Sequence, residues 1–192
     1  MFERFTESAR GVVEGAVAQA ERANADSVTE EHLLLALLDQ EGTRSSFAFA
    51  SLGITGRRAA VEAALADARR RGGLSKADTD ALSGLGIDVA EIVSKVEAVH
   101  GQGALAGDKK SKRWWSGHRS FTRPAKDTLV KSLRIAVGRG DRHIGDEHML
   151  LALSAQRGVV AEVLVEYGAD YGALERAMFG GGGATGAGAV AG

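Results

Sequence analysis

The residues with the clearest chemical potential are two Glu-His pairs, Glu31-His32 and Glu147-His148. Each is followed by an apolar run, Leu33-Leu34-Leu35-Ala36-Leu37 and Met149-Leu150-Leu151-Ala152-Leu153. The pairs lie 116 residues apart, as do Phe5-Thr6 and Phe121-Thr122 upstream of them. Whatever one pair does, the chain carries two copies of it. Two readings of the glutamates stay open. A carboxylate in a helix's first turn stabilises the macrodipole by about 0.3–1 kcal/mol, and the same carboxylate can serve a binding site. His32 and His148 read as hydrogen-bonding groups inside each repeat rather than metal ligands, because no second ligand cluster accompanies them. Thr6 and Thr122 read first as helix caps. No Gly-x-x-x-x-Gly-Lys-Ser/Thr phosphate loop occurs, and Gly103 to Lys110 resembles one only superficially. No Ser/His/Asp constellation appears, and the absence of cysteine excludes disulfides and thiolate metal sites. The expectation is a protein that is not an enzyme and carries no cofactor.

The elements that position these pairs read as helices. The chain has 192 residues, 44% hydrophobic but only 5% aromatic, so its core is aliphatic. A single proline favours helix throughout. Thr6 opens a helix with Val13, Ala16, Val17 and Ala20 at helical spacing. Asn24 to Thr29 is a turn. The Glu31-His32 helix buries Leu33, Leu34, Leu37 and Leu38 and ends at Gly42. A short helix from Phe47 to Leu52 stops at Gly53, and another runs from Arg57 to about Arg70. The second unit repeats the plan. Thr122 caps a helix bearing Leu129, Leu133 and Val137, and Asp146 caps the Glu147-His148 helix. Gly158 matches Gly42, Gly168 matches Gly53 with one residue lost, and Asp170 caps a last helix to Phe179. The predicted fold class is all-α: two pseudo-symmetric four-helix repeats at residues 1–70 and 121–179.

Residues 71–120 lie between the repeats. Ser75-x-x-Asp78 and Asp88-x-x-Glu91 each open a helix, the second amphipathic through Val89, Ile92, Val93 and Val96. A basic linker follows, with Lys109, Lys110, Lys112, Arg113, Arg119, Arg123 and Lys126 around Trp114-Trp115. Such a segment can stack on a nucleic-acid strand, or its tryptophans can dock on the domain or on a partner. The net charge of −1 argues against a general nucleic-acid binder. Residues 180–192 are mostly Gly and Ala and bury too little to offset their ordering entropy. No run of 18 apolar residues is present, so no membrane partner is expected, and the N-terminus does not read as a signal peptide. A cytoplasmic protein is the expectation.

Met1-Phe2-Glu3-Arg4-Phe5-Thr6, the repeated Glu-His-Leu-Leu-x-Ala-Leu helix and the Leu52-Gly53-Ile54 turn resemble the N-terminal domain of the Clp/Hsp100 unfoldases, most closely the ClpC type. The resemblance covers about residues 1–70 and 121–179. It implies a helical double repeat that captures clients and adaptors for an ATPase, here without the ATPase sequence. It implies binding of arginine-bearing peptides at Thr6, Glu31, His32, Thr122, Glu147 and His148, with Glu31 grouped with Thr6 and Glu147 with Thr122. In the family these pockets take phosphorylated arginine, the carboxylate forking the guanidinium and a helix N-terminus facing the phosphate. Phe2 and Arg10 match the surface that takes adaptors or cyclic peptides, and Phe2 reads equally as a core staple against the first helix. The chain departs from the pattern at Glu30 and Asp146, where the family has Thr, and at Ser8 and Pro124, where it tends to have Arg. Added negative charge repels a phosphate, so unmodified arginine is the expected guest. The expected partners are client proteins or arginine-bearing peptides, and a Clp ATPase or its adaptors. The expected role is accessory or regulatory. A decoy for Clp-directed peptides, a Clp-family ATPase or peptidase subunit by homology, and nucleic-acid binding through the linker are the alternatives.

Overall fold

The computed structural model describes residues 4–105 and 119–180. Phe2, the Trp114-Trp115 pair and the tail beyond Gly180 lie outside the described residues. The chain is all-α. The first repeat comprises α1 (Glu7–Arg22), α2 (Glu30–Leu38), α3 (Arg44–Ser51) and α4 (Arg58–Arg70). The intervening segment forms α5 (Lys76–Gly84) and α6 (Val89–His100), and the second repeat forms α7 (Arg123–Arg139), α8 (Asp146–Ser154), α9 (Val159–Glu166) and α10 (Tyr171–Phe179). The starts follow from the caps. The hydroxyls of Thr6, Thr43, Ser75 and Thr122 and the carboxylates of Asp88 and Asp170 each accept the backbone N–H three residues on. Helix α2 ends earlier than expected, at Leu38 rather than at Gly42. Gly42 instead turns the following loop, at φ +68°.

The two repeats interlock. Helix α4 packs on α9 and α10 on α3, so each repeat's last helix covers the other repeat, while α2 meets α8 at the centre. Two short backbone pairings, absent from the sequence-based reading, tie the repeats in the same exchanged sense. Strand β1 (Ser27–Val28) runs parallel to β2 (Ser120–Phe121), and Phe5 bridges Ile144. The Thr122 N–H donates to the Val28 carbonyl and the Thr6 N–H to the Ile144 carbonyl, both at 2.9 Å. These are equivalent bonds under the 116-residue repeat.

The core is aliphatic around Leu33, Leu34, Leu37, Met149, Leu150, Leu151 and Leu153, with Phe5 and Phe49 its buried aromatics among the described residues. Helix α1 lies antiparallel to α2, with Gly15 backed onto Ala36 and Gly11 facing Gln40. Helix α7 is turned from its expected face. It buries Ala125, Thr128, Ser132 and Ala136, while Leu133 and Val137 are exposed. Small buried residues let α7 approach α8 closely, Leu129 and Ile135 pack half-buried against the core, and Leu133 and Val137 are left outside.

Candidate functional site

Each Glu-His pair sits in the first turn of a buried helix, and its histidine completes the cap. In α2, His32 Nδ1 accepts the Thr29 N–H at 3.0 Å and lies 2.9 Å from the Thr29 hydroxyl. In α8, His148 Nδ1 accepts the Gly145 N–H at 2.9 Å, and its Nε2 lies 2.9 Å from Asp141 Oδ2. The histidine thus plays the part usually taken by Glu or Gln in a capping box. An accepting Nδ1 places the proton of the neutral ring on Nε2, which in His148 points it at the Asp141 carboxylate.

The residue before each glutamate is not the cap. Thr29 and Gly145 are the N-caps, and Glu30 and Asp146 are the first helical residues. Asp146 is 2% exposed, and its Oδ2 accepts the Ser45 N–H at 2.9 Å, at the start of α3 in the other repeat. Burial alone would raise its carboxyl. The Ser45 N–H, with the hydroxyls of Ser45, Thr43 and Ser8 around it, holds it below the ordinary aspartate range instead. Ser8 thereby acquires a role beside a buried carboxylate. Glu30 behaves oppositely. Burial, reinforced by the charge of Asp127, pushes its carboxyl up against the pull of its own backbone N–H.

The paired glutamates are mostly covered. The Glu147 side chain is 12% exposed, and its carboxylate folds back over Gly145 into the space a β-carbon there would fill. Burial and the neighbouring Asp146 raise it, opposed by its own N–H, His148 and Arg44. Arg44 Nη1 lies 3.5 Å from Glu147 Oε1. The Arg44 guanidinium also lies over the Phe179 ring at 5.5 Å, which Arg139 covers at 3.5 Å. The Glu31 side chain is 16% exposed, with Oε2 3.1 Å from Arg69 Nε at the end of α4. Both candidate carboxylates therefore already hold an arginine of this chain. The two arginines are not equivalents under the repeat, since Val160 stands where the 116-residue offset would place a counterpart of Arg44.

The grouping of residues runs across the repeats rather than within them. Thr6 lies beyond the C-terminal end of α2, because α1 runs antiparallel to it, and its N–H reaches Ile144 just ahead of α8. Thr122 likewise reaches Val28 just ahead of α2. Thr6 and Ser8 therefore belong with Asp146 and Glu147, and Thr122 with Glu30 and Glu31. Arg10 is exposed on α1. Arg44, Ser45, Arg69 and Gly145 were not found from sequence. Only Gly145 left a trace there, as the residue opposite Thr29 in the repeat.

This arrangement offers part-buried carboxylates for cations and a network of capped helix starts. Among the described residues no cluster of three or more His, Asp and Glu residues is placed to hold a metal ion. No single described helix is long and apolar enough to cross a membrane.

Comparison with known proteins agrees with this architecture. The Clp repeat (R) N-terminal domain family matches residues 4–78 and 120–181. The chain is 31% identical over 171 residues to the chloroplastic chaperone protein ClpC1 of Arabidopsis thaliana, covering 88% of this chain and 14% of that protein. It is equally similar to the chloroplastic ATP-dependent Clp protease ATP-binding subunit ClpA homolog of Brassica napus, covering 15% of it. The chain thus spans a small part of these relatives. Among solved structures, the N-terminal domain of the chaperone ClpD from Arabidopsis thaliana superposes with a TM-score of 0.52 at 18% identity, covering 94% of this chain and 95% of that one.

Proposed function

The chain belongs to the Clp repeat N-terminal domain family, and from that premise we propose that it captures client proteins or arginine-bearing peptides as an accessory or regulatory factor of a Clp ATPase–protease system. Members of this family are protein-binding modules of Clp/Hsp100 ATPases. The finer reading is supported by one observation: Glu31 and Glu147 are part-buried carboxylates that each hold a guanidinium, from Arg69 and Arg44. A client arginine exchanges for the resident one. Arg44 and Arg69 are about half exposed, whereas the glutamates are fixed in the first turns of core helices. The exchange costs little, because one guanidinium replaces another at the same carboxylate. His32 and His148 act by holding the helix starts that carry the glutamates, and Thr6 and Thr122 by capping α1 and α7 while their N–H groups tie down Ile144 and Val28 ahead of those starts.

Isothermal titration of the full chain with an arginine-bearing peptide and with free phosphoarginine tests this. Saturable peptide binding that is lost in Glu31→Ala/Glu147→Ala supports the reading, and equal binding by both forms overturns it. Arg44→Ala tells the guests apart. It tightens binding of unmodified arginine by up to about fivefold, through loss of the competing cation. It weakens phosphoarginine, which would use that cation.

A further inference from the structure

Among the described residues, the large exposed hydrophobics other than Phe47 and Val165 fall in two places. One is α6, where Ile92 is 46% and Val99 76% exposed, with the half-buried Val96 between them on the same face. Leu85 and Ile87 are exposed just ahead of that helix. The other is α7, where Val130, Leu133 and Val137 form an exposed row. Both helical rows extend over about 10 Å, two turns of helix. The α7 row has no counterpart in the first repeat. At the equivalent positions α1 carries Glu14, Val17 and Glu21, with carboxylates in place of the two valines.

We propose that the α6 row of one copy docks on the α7 row of a second copy, so that the chain associates with itself head to tail. Charge decides which rows meet. Residues 76–100, the α5–α6 hairpin, hold five acidic and two basic side chains, whereas α7 holds five basic and one acidic. Exposed Lys126 and Arg134 stand one turn before and one turn after Val130, beside the apolar row. On α6, exposed Asp88 stands one turn ahead of Ile92, and Lys95 is already paired to Glu91 at 2.6 Å. Two α6 rows, or two α7 rows, would bring like charges together, while the unlike pair attracts. The rows match in length, and packing one on the other takes the aliphatic groups of both out of water. Each copy carries both halves of such a contact, so it joins unlike surfaces of neighbouring copies. Two short rows make a small interface, so the association forms at high concentration and reverses on dilution. The inference is independent of the guest at Glu31 and Glu147.

Sedimentation equilibrium of the full chain, from micromolar to near-millimolar concentration, tests this. The mean mass is expected to climb above the 20.0 kDa of one chain and to fall back as salt screens the attraction. Ile92→Ser/Val99→Ser and Val130→Ser/Val137→Ser each remove one row at exposed positions. Each is expected to stay monomeric with its far-UV circular dichroism intact. Mixed in equal amounts, the two variants are expected to pair one to one, because each supplies the row that the other lacks. Lys126→Glu/Arg134→Glu keeps both rows and is also expected to stay monomeric. A wild type that remains monomeric over the whole range overturns the proposal. So does association that is indifferent to salt or that survives any of the three variants. A mixture of the two serine variants that stays monomeric overturns it as well, since that is the result of a like-with-like contact.

Discussion

Replacing Asp146 tests how the two repeats are fastened together. Its carboxylate belongs to α8 yet accepts the Ser45 N–H at the start of α3, 101 residues away, in a site 2% exposed. Asp146→Ala removes a hydrogen bond to a charged group and strands a backbone donor. Such a loss costs about 1.5–3 kcal/mol, and at about 2–4 °C per kcal/mol for a chain of this size that is a fall in Tm of roughly 3–12 °C. Asp146→Asn keeps an acceptor oxygen and is expected to cost less at neutral pH. Its pH dependence separates charge from shape. The folded carboxyl lies below the ordinary value. Its stabilisation is therefore present in full above the unfolded value of about pH 4 and is lost as pH falls through the folded one. Urea unfolding of the wild type and Asp146→Asn between neutral pH and pH 3 should show their stabilities converging on the acid side. Parallel curves would refute the assignment of a stabilised charge at Asp146. An Asp146→Ala protein as stable as the wild type would refute the fastening itself.

Two further outcomes follow from the same geometry. His148→Ala leaves the Gly145 N–H without its Nδ1 acceptor in a buried cap and should cost about 1–3 kcal/mol by urea unfolding; no loss would show that the cap does not depend on the ring. Val130→Glu/Val137→Glu places on α7 the residues that α1 carries at the equivalent positions, Glu14 and Glu21. Both sites are exposed within one copy, so thermal unfolding of the dilute chain should stay within about 0.5 kcal/mol of the wild type, and a larger loss would mean that this face is covered by the chain itself.

The all-α fold and the doubled arrangement of helices were legible because their signals are local. Thr6, Thr122, Asp88 and Asp170 cap where their side-chain chemistry says they should. The errors arose where a distant partner decides. Leu133 and Val137 looked like core residues, but the close approach of α7 to α8 selects Ala125, Thr128, Ser132 and Ala136 for the interior. Two-residue strands carry no alternation to detect. Asp146 looked like a cap for its own helix, because nothing local indicates Ser45. Arg44 and Arg69 were invisible as members of the site, since exposed arginines are ordinary until a part-buried carboxylate is found beside them.

The departures at Glu30 and Asp146 occupy equivalent places, which from sequence alone makes them look like one change made twice. Their surroundings make them different changes. Asp146 is held below the ordinary range by donors from the opposite repeat, so it stays charged and raises the neighbouring Glu147. Glu30 is pushed up by burial and by Asp127. The caps differ in the same way: Thr29 fills its site with a hydroxyl on His32, while Gly145 leaves room for the Glu147 carboxylate to fold back. The arginines then come from different helices, Arg44 at the start of α3 and Arg69 at the end of α4. A scaffold with near two-fold symmetry thus presents two carboxylates in unlike electrostatic settings. Single Glu31→Ala and Glu147→Ala variants should consequently weaken peptide binding by unequal factors rather than halving the number of identical sites.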